Sequence, residues 1–330
     1  MTRVPLTIPR ASIDADGGAE DQFAQDVAYY LALTPRQLPS RYLYDALGSA
    51  LFEAICRLPW YRITAAEERL LAAHGAEALR MLDPLGAIVE LGSGSGGKLR
   101  ILLEQHDGRG HRLDVHLVDV SPAALEAASR TIEAAADVRV TTHQARYEDG
   151  LERIGRLDPG RRTLVLFLGS NIGNFDPPAA SALLRTIRSG LHDGDALLLG
   201  ADLVKPARDL TLAYDDPLGV TAAFNRNLLV RINRELGGDF DLGQFAHRAV
   251  WNEREARIEM HLVSRSAQEV QVQAAGVRFT IEAGQWIWTE SSYKYRPDDV
   301  VNLLEAARFK VDRQWIDREA RFALTLVRAI

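Results

Sequence analysis

Ile88-Val89-Glu90-Leu91-Gly92-Ser93-Gly94-Ser95-Gly96-Gly97 decides the fold. A short apolar run ends in an acid and opens into a glycine-rich turn. An apolar helical pattern with Leu99, Ile101, Leu102 and Leu103 follows. Strand, glycine turn and helix in that order form the nucleotide-binding corner of a doubly wound sheet. Glycines there let the backbone approach a ligand closely and adopt conformations that a side chain forbids. No Gly-Lys-Ser/Thr closes the turn, so it is not a Walker-type phosphate loop, and the spacing is not a clean G-x-G-x-x-G. By itself the turn fits several nucleotides, or no ligand at all.

The next apolar run, Leu113, Val115, Leu117 and Val118, ends at Asp119. A carboxylate at the end of a second strand suits the two ribose hydroxyls, because it accepts two hydrogen bonds. Its distance from Gly92 exceeds the ~20 residues usual in dinucleotide folds. A polar loop over 106–112 accounts for the extra length. Ser121-Pro122 opens a helix, so Asp119 equally reads as a turn or capping acid.

A chain of 330 residues holds one large α/β domain or two modest ones. The net charge of −6, with arginines scattered and no basic block, argues against nucleic acid as a partner. No apolar run is long enough to span a bilayer. Residues 1–22 are polar and read as a loose tail without the apolar core of a signal peptide. The single cysteine, Cys56, sits in a helical pattern as a small core residue and fits a reducing cytoplasm. The eight histidines are dispersed and none has metal-ligand spacing with a cysteine, so no metal is expected.

Apolar spacing predicts helices over 22–33, 43–58 and 65–81, the last with Thr64 as N-cap and Glu67 as its capping partner. Strands over 87–90, 114–119, 137–144, 162–168 and 195–202 then alternate with helices over 98–105, 123–135 and 179–189. A loop is expected at Tyr147. This rhythm predicts an α/β doubly wound, mostly parallel sheet. After Asp202 it breaks. Helices over 208–236 lead into alternating segments at 245–252, 256–264 and 269–281, which read as an antiparallel sheet. A helix over 297–308 and strands over 310–316 and 322–328 close the chain. Residues from 206 to about 292 therefore read as an insertion. With the N-terminal helices it would cover the carboxyl edge of the sheet, where ligands bind.

The insertion holds unusual residues. Ala213-Tyr214-Asp215-Asp216 and the run from Gly219 to Asn227 are too polar for a plain core helix. Trp288-Thr289-Glu290-Ser291-Ser292-Tyr293-Lys294-Tyr295 sets two serine hydroxyls and a carboxylate among aromatics, a mix that orients small ligands.

Glu90 before the turn resembles the first motif of S-adenosylmethionine-dependent methyltransferases. From about Leu38 onward the chain resembles the histidine Nα-methyltransferases of ergothioneine biosynthesis. The matching runs are Tyr44-Asp45-Ala46-Leu47-Gly48-Ser49, Leu58-Pro59-Trp60-Tyr61, Glu90-Leu91-Gly92-Ser93-Gly94, Phe167-Leu168-Gly169-Ser170-Asn171-Ile172-Gly173-Asn174, Asp202-Leu203-Val204-Lys205, Ala213 through Asn227, Ile258-Glu259-Met260 and Glu290-Ser291-Ser292. The resemblance implies transfer of three methyl groups from S-adenosylmethionine to the α-amine of L-histidine, giving hercynine. It implies a methyltransferase-type sheet with an α+β substrate domain formed by the N-terminal helices and the insertion after the fifth strand. The expected division is a tail over 1–20, a methyltransferase domain over 65–205 and 293–330, and a substrate-binding domain over 21–64 and 206–292. A cytoplasmic monomer acting on a free amino acid is expected, with no nucleic acid or membrane partner.

The roles implied residue by residue are these. Glu290 and Ser292 hold the imidazole, and Tyr61 adds a bond on that side. Asn174 and Tyr214 hold the carboxylate, Tyr44 is the catalytic residue near the amine, and Met260 is a wall against the ring. Gly92 with Glu90, Ser93 and Gly94 cradles the methionine part of the donor. Lys98 lies near its carboxylate, Asp119 takes the ribose, and Tyr147 and Gly169 complete the site. Arg146 departs from the family, which carries an acid there that accepts from adenine. Arg146 cannot accept, so Glu148 or a backbone carbonyl would replace it. Ser291 and Tyr293 also differ from the usual flanks of Glu290. Two other readings stand beside this one: an enzyme for another aromatic amino acid such as tyrosine or tryptophan, and a non-catalytic sensor of S-adenosylmethionine.

Overall fold

Strands buried on both faces need near-continuous apolar runs, and the centre of this molecule is built from them. The computed structural model describes residues 19–106, 112–157 and 160–330. Residues 107–111 of the polar loop predicted at 106–112 and most of the tail lie outside the described residues. Residues 19–22 belong to the first helix instead of the tail.

The chain opens with α1 (Ala19–Leu31), β1 (Arg36–Gln37), a 3-10 turn at Ser40–Leu43, α2 (Ala46–Ile55) and α3 (Ile63–Arg80). The single helix expected over 43–58 is broken, because Asp45 caps α2 by accepting from the Gly48 N–H at 2.7 Å. Nor does Thr64 cap α3. The helix starts two residues earlier, at Ile63, with Arg62 at the N-cap and no side-chain cap bond. Glu67 turns into the protein instead, and is fully buried.

There follow β2 (Leu85–Leu91), α4 (Gly97–Leu103), β3 (Leu113–Asp119), α5 (Pro122–Ala135), β4 (Val138–Gln144), α6 (Tyr147–Ile154), β5 (Arg162–Phe167), α7 (Pro177–Ser189) and β6 (Ala196–Asp202). Tyr147, expected in a loop, is the first residue of α6. The insertion supplies α8 (Ala207–Tyr214), α9 (Val220–Leu236), β7 (Phe245–Asn252), β8 (Arg257–Ser264), β9 (Gln268–Val272), β10 (Val277–Ile281) and β11 (Trp286–Tyr293). The segment expected as one strand over 269–281 is the hairpin β9–β10. The chain ends with α10 (Pro297–Ala306), β12 (Phe309–Asp317) and β13 (Phe322–Ala329).

The main sheet has the order β12-β13-β6-β5-β2-β3-β4. Strands β2 to β6 are parallel and β13 runs antiparallel to β6. Helices cover both faces, so the fold is the doubly wound methyltransferase sheet. The strand order reverses between β2 and β5, and such a switch point opens a crevice at the carboxyl ends of the strands. A second sheet, β1-β11-β8-β7, stands over that crevice. The N-terminal segment is bound into it. Arg36 pairs with Ile287 in register, and Asp45 accepts from Asn227 Nδ2 at 2.7 Å and Arg234 at 2.8 Å.

Candidate active site

Gly92, Gly94 and Gly96 have φ of 82°, 49° and 76°, where a side chain is strained. A Cβ on Gly92 would stand 2.7 Å from Asn171 Nδ2 and 2.9 Å from the Tyr147 hydroxyl. The turn thus keeps a narrow cradle that only glycine leaves open. On one side lies a cavity of about 850 Å³, lined by Glu90, Ser93, Lys98 and Gly169. On the other lies one of about 340 Å³, lined by Asp119, Tyr147, Tyr44 and a row of alanines from α5.

Two buried polar atoms at the turn, Glu90 Oε2 and Ser93 Oγ, have no hydrogen-bond partner. An unpaired buried polar atom costs about 1–3 kcal/mol, so these atoms are ready for a ligand's donors. Burial pushes the Glu90 carboxyl up to about 8, with Lys98 opposing and Asp119 and Glu67 adding to the rise. A bound cation beside Glu90 would restore its charge. An amino acid's ammonium does that, and the methionine part of S-adenosylmethionine carries one. The donor fits the residues present.

Lys98 sits where a donor carboxylate is expected, and it is held there. Its ammonium lies 2.6 Å from Glu67 Oε2. Both Glu67 oxygens also accept from the Gly169 N–H, at 3.0 and 2.8 Å. One buried acid therefore sets the positions of a lysine on α4 and of the loop after β5. Glu67 is therefore not a capping partner but a long-range one, joined to residues distant in sequence.

Asp119 makes the turn contact its sequence allows and is also placed at a cavity. Oδ1 accepts from the Ser121 N–H at 2.9 Å, and the side chain lines the cavity on the ribose side of the turn. Burial raises its pKa, and backbone N–H groups of Ser121, Gly94 and Ser93 hold it back. Asp119→Ala should weaken donor binding by on the order of 1.5–3 kcal/mol, read by calorimetry on the folded variant with S-adenosylhomocysteine. An unchanged dissociation constant would leave Asp119 a capping acid. Arg146 is at the surface, paired with Asp149 at 3.0 Å. Of the three neighbours, Tyr147 lines this cavity, while Arg146 and Glu148 do not.

Next to the turn, under the second sheet, is a smaller chamber lined by Tyr44, Tyr61, Asn174, Tyr214, Met260, Glu290 and Ser292. The seven residues assigned to substrate and catalysis thus meet in one place. Tyr44 and Asn174 also line the ribose-side cavity, and Tyr61 and Gly169 the methionine side. Sequence reasoning missed Phe52, Asn171, Thr221 and Phe224 in the chamber wall. The run over 219–227, too polar for a plain core helix, owes part of its polarity to the framework: Thr289 donates to Asn225 Oδ1 at 2.6 Å, and Asn227 holds Asp45. The chamber is tight, with room for only about 30 Å³.

Glu290 reaches the chamber through a bulge. Trp288 pairs with His261 and Glu290 with Met260, which leaves Thr289 unmatched between them. A bulge of this kind re-aims the side chains that follow it. Burial pushes Glu290 up to about 7, with Lys294 opposing. Among the described residues no donor bonds its carboxylate. Ser292 Oγ instead bonds the Tyr214 hydroxyl at 2.8 Å. The residue expected at the carboxylate end and the one expected at the ring end therefore form one hydroxyl pair. Burial raises the Tyr44 and Tyr61 phenols well above their ordinary range, with neighbouring acids and tyrosines adding to it.

A profile of the family described as "Histidine-specific methyltransferase, SAM-dependent" matches residues 23–329. The chain belongs to this family. It is 40% identical over 322 residues to a histidine N-alpha-methyltransferase of Mycolicibacterium smegmatis, covering 97% of this chain and 99% of that one. Over 284 residues it is 29% identical to "Ergothioneine biosynthesis protein 1" of Schizosaccharomyces pombe, covering 83% of this chain and 36% of that protein. An L-tryptophan methyltransferase of Psilocybe serbica is 26% identical over 325 residues, covering 89% of this chain and 88% of that one. Within the family, S-adenosylmethionine is the methyl donor, and Glu90, Gly92, Ser93, Gly94, Lys98 and Asp119 line the cavities beside the glycine turn. Among the described residues no group of His, Cys, Asp and Glu could hold a metal ion, and no helix is long and apolar enough to cross a membrane.

Proposed function

We propose that this methyltransferase moves three methyl groups, one at a time, from S-adenosylmethionine to the α-amine of L-histidine. The product is hercynine, the trimethyl betaine used for ergothioneine. The observation that carries the choice of histidine is Glu290, a half-buried carboxylate lining the chamber with no donor among the described residues. An imidazole N–H supplies the missing donor, and Ser292 and Tyr214 face the other side of the ring. Asn174 holds the amino acid's carboxylate, and Met260 and Tyr61 pack on the ring.

The donor supplies a methyl group on a sulfonium, already activated toward attack. The protein's part is alignment and exclusion of water. Tyr44 and Asn174 line both the chamber and the donor cavity, so they orient the amine where the two spaces meet. The Tyr44 phenol stays protonated and cannot serve as a phenolate base; its oxygen accepts a hydrogen bond from the neutral amine. A free α-amine with a pKa of about 7.7–8.0 is partly neutral without further help. We take the substrate-binding half to be residues 21–64 and 206–292, and the enzyme to work as a cytoplasmic monomer on free amino acid. The lone cysteine and the acidic charge balance support that setting.

Turnover of a panel of free amino acids tests the proposal. Histidine should have the highest specificity constant. Faster turnover of tyrosine or tryptophan would overturn the choice of substrate, and binding of the donor without any turnover would make the chain a sensor.

A further inference from the structure

Behind the chamber wall is a polar cluster that Glu290 does not explain. Lys294 follows Ser292 by two positions, and its side chain is 0% exposed. Its ammonium lies 2.8 Å from the Tyr214 hydroxyl and 3.0 Å from Ser292 Oγ. The third partner is Asp202 Oδ2, at 3.0 Å. An ammonium has three N–H donors and no acceptor, so every proton has one partner. Asp202 is anchored in turn, with Oδ1 2.5 Å from Lys205 Nζ and its backbone N–H donating to Ser170 Oγ at 2.9 Å. Burial alone would lower the Lys294 pKa. Asp202 and Tyr214 more than offset it and raise the group, so it stays charged.

This arrangement determines where two hydroxyl protons point. Tyr214 and Ser292 each accept from Lys294, and their oxygens are 2.8 Å apart, so one hydroxyl donates to the other. A hydroxyl has one proton and two lone pairs. The hydroxyl that accepts within the pair has both lone pairs filled and its own proton unassigned. Toward the chamber it can only donate. The phenol is the more acidic partner, so Tyr214 donates to Ser292 and Ser292 carries the outward proton.

We propose that Lys294, anchored by Asp202, is a positioning residue that makes the Tyr214–Ser292 pair a one-way donor to the unprotonated ring nitrogen of the substrate. The chamber then reads a ring from two sides, with Glu290 accepting from its N–H and Ser292 donating to its bare nitrogen. This deepens the histidine reading and rests on it. A ring with an N–H but no bare nitrogen leaves the Ser292 proton unpaired in a buried place, which sites built around a substrate hydrogen bond reject strongly.

The test compares histidine with pyrrolylalanine, which keeps an N–H and replaces the bare nitrogen by C–H. Binding is measured calorimetrically to enzyme saturated with S-adenosylhomocysteine. The wild type should prefer histidine by roughly 10- to 100-fold. In Lys294→Met, histidine affinity should fall by a similar factor while pyrrolylalanine changes little, so the preference shrinks. The double variant Asp202→Asn/Lys294→Met removes both charges and should show the same shrinkage if the single variant folds poorly. In Ser292→Ala, adding Lys294→Met should cost histidine little more, because coupled residues are non-additive. Equal losses for both ligands, or additive losses in the Ser292/Lys294 cycle, would reduce Lys294 to a structural residue and overturn the proposal. A wild type that binds tryptophan more tightly than histidine would overturn the histidine reading itself, which is a distinguishable result.

Discussion

Glu290→Ala should weaken histidine binding by roughly 10- to 100-fold, the equivalent of a ~1.5–3 kcal/mol hydrogen bond to a charged group. Donor affinity should hold, because Glu290 lies on β11 and does not line either cavity beside the glycine turn. The same change with Met260→Val clears space on two facing strands, since Met260 and Glu290 pair in register. Activity on tryptophan relative to histidine should therefore rise. The pH profile carries a second signature. Glu290 offers a charged acceptor only when ionised, and burial has pushed it up to about 7. As pH falls through that value the acceptor is protonated and histidine affinity drops. Glu290→Gln should flatten this part of the profile, leaving only the titration of histidine itself. Specificity constants for the two substrates, measured in wild type and variants, decide it. An unchanged ratio with intact histidine turnover would make Glu290 a structural carboxylate.

Glu67→Ala should cost stability and donor affinity together. Glu67 is 0% exposed and holds the Lys98 ammonium and the Gly169 N–H at once. Removing one partner of a buried ion pair costs about 3–5 kcal/mol, because the other charge is left uncompensated. For a large domain each kcal/mol lowers Tm by roughly 2–4 °C. Glu67→Gln keeps an acceptor for Gly169 but loses the charge, so it should fall between wild type and Glu67→Ala. Thermal melts with calorimetric binding of S-adenosylhomocysteine give both readouts. A variant with wild-type Tm and donor affinity would show that Lys98 needs no fixed partner.

What was legible in the chain is what local sequence determines. The glycine turn announces itself because strand, tight turn and helix are consecutive, and the same holds for Asp119 before the Ser121 cap. Glu67 was misread for the same reason. Thr-x-x-Glu is a valid local capping pattern, yet the helix starts two residues early and the acid is taken up across the fold by Lys98 and Gly169. Lys294 carried no signal, because a lysine after a strand normally reaches solvent. Only the meeting of β6, α8 and β11 gives it three acceptors. The bulge at Thr289 is equally invisible, since it arises from pairing with β8. Tyr147 opens α6 although Arg146 offers that helix no side-chain cap.

The central claim is that this chain trimethylates the α-nitrogen of histidine. Incubation of histidine with excess S-adenosylmethionine, followed by mass and fragmentation of the product, tests it most directly. The account predicts a gain of three methyl groups, all on the α-nitrogen with the imidazole unmodified, and three S-adenosylhomocysteine formed per histidine consumed. A product methylated on the ring, or no methylated histidine under conditions where tryptophan or tyrosine is converted, would contradict it.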